Sequence, residues 1–420
     1  MCFAVLPFPP STAVYPPAKV VEDYLDLFIT HFGLSSNIRL NTTVERLEWD
    51  ETSASWRVRL SGPGHGSEWL RFDKVVVANG HYRSPRFPNV PGLDKWLAAG
   101  RATHSAWYRR PVDSGSTPVV VGGGFSGRDI ATEIADLPST SAVYFSITEP
   151  PLDPPRNDKV QYRARVAEFL PLDGDGKGKV RYEDGNEDEV DSCILATGYK
   201  MAFPFLSDSL VQTSLPPTPI PPIPRDKLYN STYHVFPLIK HLFPVTDKYP
   251  PTSLVFQGLL IRVVPLPLVE AQSHAMVKLW TSPELLDVGA EVDAIISRYE
   301  KLMDKFGGDE VQVAKRYFTF DLPEQFHYRD ELYTLVYRED EETLKKYLTP
   351  AWHEDMYLYT AQLRAEWERM EQTGEAEDFV RGVGEASSDE WEKLMHKLLE
   401  RVLGKRGISE TREASPVLYS

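Results

Sequence analysis

The sequence predicts an α/β protein with two domains and a C-terminal helical extension. Three observations lead to this fold class. The 420 residues exceed what one ordinary hydrophobic core supports, an apolar strand near residue 120 runs into a glycine-rich turn and an amphipathic helix, and the chain beyond residue 284 is charged with helical periodicity. With 42% hydrophobic and 11% aromatic residues, the chain is expected to fold as a globular protein.

Charge and cysteine content exclude several classes of function. The net charge of -15 repels phosphate backbones and anionic lipid surfaces, so nucleic acid is not an expected partner. The two cysteines, Cys2 and Cys193, provide neither a disulfide framework nor a zinc cluster. None of the ten histidines has other potential metal ligands at the sequence spacing of a metal-binding motif. We therefore expect no metal site and a reducing, cytoplasmic compartment.

No targeting or membrane-spanning segment is predicted. The first ten residues, MCFAVLPFPP, carry no basic region and are broken by prolines, unlike a secretory signal. The longest apolar stretch, residues 253–269, is interrupted by an arginine and two prolines, which are costly in a lipid-spanning helix.

Apolar periodicity predicts the elements before the glycine turn. Residues 18–32 carry apolar side chains at helical spacing, and Gly33 ends that helix. Alternating apolar and polar residues then predict a β-meander over residues 38–80 that finishes in a buried strand. Residues 85–118 are rich in proline, glycine and aromatics, and we expect an irregular crossing between domains there.

The next part of the chain reads as a compact α/β domain. Residues 118–136 predict a strand, a glycine turn and a helix, and AVYFSIT predicts the following strand. A polar hairpin around Gly174 to Gly185 leads to a buried strand in DSCILATGY.

Two later segments are predicted to contribute to the fold and not to bind a partner. The proline-dense residues 215–225 are extended, and a rigid surface loop is favoured over a ligand for a proline-binding module. Near the C-terminus, Ser387 and Glu390 form a capping box and Gly404 ends a helix. Its apolar stripe is expected to pack against the body of the protein rather than bind a partner; the stripe comprises Trp391, Leu394, Met395, Leu398, Leu399 and Val402.

The glycine turn predicts dinucleotide binding. In the segment GGGFSG, Gly122 permits a tight turn, Gly124 lets the backbone approach a pyrophosphate, and Gly127 lets the helix pack on the strand. The following helix presents N–H groups and its positive dipole end to the phosphates. A strand before the turn and an amphipathic helix after it make the motif more specific than GxGxxG alone.

The choice between NAD and NADP stays open in the sequence. Glu149 follows the second strand, where a ribose-binding carboxylate is expected in NAD-binding proteins. A solvated loop residue is an equal alternative for this position. Arg156 and Lys159 are candidates for binding a 2′-phosphate if the intervening prolines fold back.

Four motifs in order resemble the flavin-containing monooxygenases, particularly their fungal branch. They are Ala78-Asn79-Gly80-His81-Tyr82, then Gly100-x3-His104-x3-Tyr108, then GGGFSGRDIA, then Ala196-Thr197-Gly198-Tyr199. The likeness extends from residue 1 to about residue 285. The family motif that contains Gly100 begins with phenylalanine, and Ala98 stands at that position here.

The resemblance implies two Rossmann-like domains, one for FAD and an inserted one for NADPH. It places the FAD-binding domain in residues 1–112 and 201–285, the NADP-binding domain in residues 113–200 and a helical region in residues 286–420. The implied cofactor-binding residues are Gly122, Gly124, Phe125, Ser126, Gly127, Val44, Asn79, Gly80, Thr197 and Gly198, with Gly100, His104 and Tyr108 as family signature residues.

The resemblance also implies segments that this sequence does not contain. In the family, a strand with its own GxGxxG fingerprint for FAD and an active-site asparagine precede the segment that MCFAVLPFPP matches. We therefore expect an N-terminally truncated chain whose FAD-binding domain is incomplete.

The implied activity is a monooxygenase of the N,N-dimethylaniline monooxygenase type, which uses NADPH, FAD and O2 to oxygenate a soft nitrogen or sulfur atom of a small molecule. Two alternatives are a Baeyer-Villiger-type oxygenase, disfavoured because Tyr108 stands where tryptophan is expected, and a non-catalytic remnant that binds dinucleotide. No catalytic side chain is assigned. For His104 and Tyr108, anchoring the domain crossing is favoured over acid-base catalysis, whereas His81 and Tyr82 are better candidates for lining the cofactor cleft.

Overall fold

The computed structural model describes residues 2–62, 65–111, 114–149, 157–173 and 178–404. The chain forms two compact units. The first contains residues up to Asn79 and those from Phe203 onward, and the second contains residues from Gly80 to Ala202.

The first unit opens with a helix and four strands. Their bounds are α1 (Ala18–His31), β1 (Thr43–Asp50), β2 (Ser55–Gly62), β3 (His65–Phe72) and β4 (Val75–Val77). The predicted helix is confirmed as α1, which is followed by Gly33 in a left-handed conformation with φ of 63°. Tyr24 is the buried residue of this helix, and its hydroxyl donates to the Leu6 carbonyl at 2.5 Å.

Only part of the predicted meander exists as one sheet. Strands β1, β2 and β3 pair antiparallel in sequence order. Strand β4 leaves that sheet, so the prediction that it completes the meander is wrong. Its run of three valines lacks the alternation of a strand with one wet face, and such runs are typical of parallel strands covered on both faces.

The second unit contains ten strands and two helices in its described residues. Their bounds are β5 (Ser84–Pro85), α2 (Leu93–Ala98), β6 (Ala102–His104), β7 (Val119–Val121), α3 (Phe125–Ala135), β8 (Val143–Ser146), β9 (Val160–Arg163), β10 (Val166–Phe169), β11 (Gly178–Tyr182), β12 (Glu187–Val190), β13 (Cys193–Leu195) and β14 (Tyr199–Lys200).

Its centre is a five-stranded parallel sheet in the order β6-β13-β7-β8-β9. Alternate residues of the central strands enter two separate cores. Val119 and Cys193 join a core with Trp96 of α2 and the antiparallel sheet β10-β11-β12, whereas Val120 and Ile194 pack beneath α3. The sheet is therefore covered on both faces, as parallel sheets require.

The predicted irregular crossing over residues 85–118 contains regular structure. It includes α2 and β6, and β6 is the edge strand beside β13. A three-residue strand such as β6 gains its definition from the neighbour with which it pairs, so local sequence carries little signal for it. Through this pairing, β6 belongs to the second unit, which begins at Gly80. Of the predicted hairpin, Gly174 lies outside the described residues, and β11 and β12 form the part around Gly185.

The chain then returns to the first unit with six short strands and nine helices among the described residues. Their bounds are β15 (Val211–Gln212), β16 (Leu228–Asn230), β17 (Val235–Phe236), β18 (Leu238–Ile239), β19 (Phe243–Pro244), β20 (Leu254–Phe256), α4 (Pro265–Thr281), α5 (Val288–Lys305), α6 (Glu310–Arg316), α7 (Glu324–Tyr337), α8 (Glu341–Tyr347), α9 (Ala351–Leu358), α10 (Thr360–Thr373), α11 (Ala376–Val380) and α12 (Asp389–Gly404).

Strand β20 is the parallel partner of β4, with Val255 opposite Val76. Residues 215–225 form neither helix nor strand, and the side chains of Ile220 and Ile223 in this segment are buried. The predicted helix near the C-terminus is confirmed as α12.

The apolar stripe of α12 packs on other C-terminal helices. Leu394, Leu398 and Val402 are buried in one cluster with Trp367 and Met370 of α10. The predicted capping box has a different geometry, because the Glu390 carboxylate accepts hydrogen bonds from the Gly384 and Ala386 N–H groups at 2.8 and 3.3 Å. The α/β class with a parallel sheet and C-terminal helices is thus present.

Candidate dinucleotide-binding site

In the parallel sheet of the second unit, the direction in which successive strands are added reverses at β7. From β7 the chain passes through α3 to β8 on one side, whereas β13 lies on the other side. Ligands of open α/β sheets bind at the carboxyl ends of the strands beside such a point. The glycine turn after β7 occupies this position.

Two glycines of the turn are required by packing within the protein. Gly122 has φ of 117°, and a Cβ there would lie 2.3 Å from the Ala196 carbonyl oxygen. A Cβ on Gly127 would lie 1.9 Å from the Gly122 carbonyl oxygen. These contacts hold the turn closed and seat α3 against β7, as the first and third glycines of the motif are expected to do.

Gly124 has a different reason to be glycine. Its φ of -70° suits any residue, and no described atom lies within 4 Å of a Cβ at this position. Phe125 and Ser126 beside it are exposed, with 59% of Phe125 accessible. The turn therefore leaves open space above Gly124, where a diphosphate needs to approach the backbone.

The start of α3 supplies donors for an anion. The helix has no side-chain cap, and its first hydrogen bond runs from the Arg128 N–H to the Gly124 carbonyl at 3.1 Å. The N–H groups of Ser126 and Gly127 precede that bond and take no part in the helical ladder. An anion at this end also interacts favourably with the helix dipole.

The fold brings Thr197 and Gly198 to the glycine turn. The Ala196 N–H donates to the Val121 carbonyl at 2.8 Å, which continues β13 alongside the beginning of the turn. Thr197 Oγ1 donates to the Arg86 carbonyl at 2.5 Å, and the Gly198 carbonyl accepts the Arg86 N–H at 2.9 Å. Arg86 is a positioning residue that the sequence did not single out.

The three signature residues take separate places. Gly100, with φ of 69°, ends α2 at the amino edge of the sheet, away from the glycine turn. His104 ends β6 at the carboxyl edge and is fully buried, and its Nδ1 accepts the Ala106 N–H at 3.0 Å. Burial lowers the pKa of His104, an effect that the nearby Gly198 backbone opposes. The ring is therefore neutral near pH 7.

Tyr108 is tied to α3. Its hydroxyl donates to Glu133 Oε2 at 2.7 Å. Burial, followed by the Glu133 carboxylate, raises the pKa of Tyr108 well above the ordinary value of 10.0. These contacts give His104 and Tyr108 the geometry of anchors for the chain crossing, and no contact joins the two side chains in the described residues.

The remaining predicted residues lie in both units. Tyr82 is 65% exposed and contacts the rings of His81 and Tyr199, all in the second unit. Gly80 begins that unit with φ of 69°. Asn79 follows β4, and Val44 on β1 is 40% exposed, both in the first unit.

The structure changes the candidates for a 2′-phosphate ligand. Lys159 lies at the amino edge of the sheet, opposite the glycine turn, and its Nζ donates to the Leu137 carbonyl at 3.0 Å. The prediction that Lys159 reaches the phosphate is therefore wrong, and Arg156 lies outside the described residues. Glu149 is exposed just after β8, as predicted.

Arg165 is a candidate that the sequence analysis missed. It follows β9 at the carboxyl edge, two residues after Arg163, whose carbonyl accepts the Ile147 N–H at 3.1 Å. Its side chain is 61% exposed, with Glu183 3.7 Å away. The available sequence signal was an arginine just beyond the third strand of the α/β domain. Only the parallel pairing of β8 and β9 shows that this arginine lies at the carboxyl edge of the sheet.

The described residues offer neither a metal site nor a membrane-spanning helix. No group of three or more histidine, cysteine, aspartate or glutamate side chains there is arranged to hold a metal ion. None of the helices in that part of the chain combines the length and the apolar character that crossing a membrane demands.

Comparisons with known proteins agree with this geometry. A family model described as flavin-binding monooxygenase-like matches residues 1–149. Flavin-containing monooxygenase FMO GS-OX-like 7 of Arabidopsis thaliana is 28% identical over 80% of this chain and 72% of its own length. The structure of S-allyl-L-cysteine S-oxygenase from Allium sativum matches with a TM-score of 0.64 and 25% identity, covering 93% of this chain and 77% of that one. The chain is thus similar to the flavin-containing monooxygenases.

A fungal protein is among the relatives of this chain. The thiol-specific monooxygenase of Saccharomyces cerevisiae is 29% identical over 67% of this chain and 62% of its own length. The chain spans about half the length of three other A. thaliana relatives, at 53%, 44% and 51%. The predicted fold class is confirmed as an α/β fold with a parallel sheet and C-terminal helices.

Proposed function

We propose that this chain is an NADPH- and FAD-dependent monooxygenase that oxygenates a soft nitrogen or sulfur atom of a small molecule with O2. The open space above Gly124, at the start of α3, is the observation that carries the proposal. The relatives support the chemistry, since they include a thiol-specific monooxygenase, a trimethylamine monooxygenase and an S-allyl-L-cysteine S-oxygenase.

The second unit would bind NADPH through its backbone. The N–H groups of Ser126 and Gly127 donate to the diphosphate, Gly124 gives it room, and the dipole of α3 offsets its charge. Thr197 and Gly198 border the same edge beside Gly122. These residues fit the nucleotide because no described atom lies within 4 Å of a Cβ at Gly124, which leaves the backbone there accessible.

The first unit offers an edge of the same type for FAD. Strands β4 and β20 end side by side, and the positive end of the 17-residue helix α4 follows β20. We propose that Asn79 after β4, together with Val44, contributes to this site. FAD held there would supply the redox and oxygen-transfer chemistry.

The protein's own residues then act by binding, orienting and excluding water. Oxygen transfer to a soft atom requires no protein nucleophile, and no side chain is proposed for that role. His104, neutral and buried at the carboxyl edge, and Tyr108, hydrogen-bonded to Glu133, keep the edge in place.

The test combines cofactor binding with turnover. We expect protein supplied with FAD to keep a yellow colour after desalting, to consume O2 when NADPH is added, and to convert a simple thioether to its sulfoxide. Protein that binds NADPH in calorimetry but stays colourless and consumes no O2 would contradict the monooxygenase proposal and favour a dinucleotide-binding protein without turnover.

Arg165 is expected to select NADPH over NADH. The Arg165→Ala substitution should weaken NADPH binding by about tenfold, since one charge-assisted contact to a 2′-phosphate is worth about 1.4 kcal/mol or more. NADH binding should not change, because NADH lacks that phosphate. Calorimetric titration with both nucleotides measures the ratio of the NADPH and NADH dissociation constants.

Lys179→Ala provides the matched control, since Lys179 is exposed on β11 of the same unit. Equal losses of affinity for the two nucleotides, or none for either, would remove Arg165 from the proposal. A loss of NADH binding alone in Glu149→Gln would instead indicate a protein that prefers NAD.

A further inference from the structure

Arg329 is a buried cation on α7. Only 5% of its surface is exposed, and α7 packs against α4 in the first unit. Its Nε atom is enclosed without a hydrogen-bond partner. In the described part of the chain, no hydrogen bond, ion pair or aromatic face holds the two Nη atoms either, and these atoms keep contact with solvent.

The carboxylates nearest to Arg329 are already engaged elsewhere. The Glu270 carboxylate on α4 accepts the N–H groups of Ala4 and Val5 at 2.8 and 3.4 Å. Asp330 Oδ1 accepts the Thr349 N–H and hydroxyl, both at 2.8 Å. Both act on Arg329 through space without forming an ion pair with it.

An arginine in this situation lacks its usual compensation. The guanidinium stays protonated at all accessible pH values and carries five N–H donors in a rigid fork. Buried charges in proteins are paired, and an unsatisfied buried group requires a specific partner such as an ion. Because the Nη side faces solvent, that partner can enter from outside.

His353 adds a second donor close to this position. It lies on α9, which contacts α7 through Tyr357 and Phe326, with ring centroids 5.8 Å apart. Its imidazole makes no hydrogen bond in the described residues. Burial, then the charge of Arg329, lowers the pKa of His353 to about 4. The neutral ring keeps an N–H that can donate to an anion.

We propose that Arg329 is the anchor of an anion-binding site between α4, α7 and α9 that takes one carboxylate or phosphate group through two of its oxygens, with His353 as a further donor. The fork geometry of the guanidinium matches two oxygens of such a group. This site is built entirely within the first unit, and it does not depend on the proposed oxygenase activity.

Calorimetry on the whole chain tests the site with two probes, sodium phosphate and sodium acetate, at an ionic strength held constant with sodium chloride. Saturable binding of at least one probe is expected, with affinity reduced at least tenfold in Arg329→Met. Binding of phosphate alone points to a phosphorylated ligand, and binding of acetate alone to a carboxylate ligand. Arg381→Met is the control, because Arg381 is exposed and pairs with Asp378.

Thermal unfolding gives a second readout that a purely structural role for Arg329 would not move. Without added anion, Arg329→Met should melt above the unsubstituted protein, because methionine removes an unpaired buried charge. Saturating anion should raise the melting temperature of the unsubstituted protein only, and so reduce that difference. Absence of saturable binding, or equal binding by Arg329→Met, would overturn the proposal.

Discussion

Replacing Gly124 with alanine is expected to reduce NADPH affinity at least tenfold while leaving the fold unchanged. The new methyl group meets no described protein atom within 4 Å, and the backbone at Gly124 has a φ that alanine adopts readily. It would occupy the space that the diphosphate needs against the backbone. Calorimetric titration with NADPH measures the affinity, and thermal unfolding checks the fold.

Two further substitutions make the expected result specific. Gly127→Ala should lose both folding stability and NADPH binding, because its Cβ would lie 1.9 Å from the Gly122 carbonyl oxygen. Gly289→Ala, in helix α5 of the first unit, should change neither NADPH affinity nor the fold. Undiminished NADPH affinity in Gly124→Ala would show that the nucleotide does not bind at this turn.

The second large effect is a loss of folding stability in mild acid, caused by two buried histidines in the first unit. His234 and His241 both contact the ring of Tyr317, with centroids 5.1 and 5.7 Å apart. Burial lowers the pKa of each histidine from 6.5 to about 3. For His241, the charges of Arg298 and Lys240 contribute as well.

In the part of the chain that the structure describes, no carboxylate forms an ion pair or a hydrogen bond with His241. Glu291 and Glu331 pair with Lys240, and Glu324 pairs with Arg298. Tyr328 also contacts the imidazole of His241, and the phenol is neutral because burial raises its pKa. A proton on His241 would therefore face two cations, so the folded state keeps this histidine neutral.

The sign of the pH effect follows from these pKa values. Above pH 6.5 each histidine is neutral in both states and adds no pH dependence. Below pH 6.5 each of these histidines binds a proton in the unfolded chain but not in the folded chain. The free energy of unfolding therefore falls by about 1.4 kcal/mol per pH unit for each histidine. This loss continues until the folded-state pKa of about 3 is reached.

Between pH 7.5 and 4.5, the free energy of unfolding of His241→Phe is expected to fall by about 3 kcal/mol less than that of the unsubstituted protein. Urea unfolding at the two pH values measures the difference, which cancels any pH-independent change in packing. His327→Phe, at an exposed position on α7, should leave the pH dependence of the unsubstituted protein intact. An identical pH dependence in His241→Phe would contradict the predicted neutral state of His241.

Features that local sequence controls were predicted correctly. The helix α1, the stripe of α12 and the strand, turn and helix around Gly122 all have periodicities or turn residues that act within a few positions. Gly122 and Gly127 show why: the φ of 117° at Gly122 and the Gly122 carbonyl oxygen 1.9 Å from a Cβ on Gly127 are local constraints, and they are visible in the sequence as glycine.

Features that depend on distant partners were not predictable in the same way. Strand β4 pairs with β20 across about 180 residues of chain, and β6 becomes an edge strand only beside β13. Lys159 is near the glycine turn in sequence, yet parallel pairing places it at the opposite edge of the sheet. Arg329 looks like an ordinary helical arginine until α4 and α7 bury it.

By itself, the sequence determined that this chain has an α/β fold with a glycine turn between a strand and a helix, and C-terminal helices, because hydrophobic periodicity and glycine placement act through near neighbours. Only the tertiary structure decided which strands share a sheet, which edge carries each charged side chain, and which polar groups lose water. These depend on contacts between residues far apart in the chain, and burial by such contacts sets the charge states of His241 and the unpaired condition of Arg329.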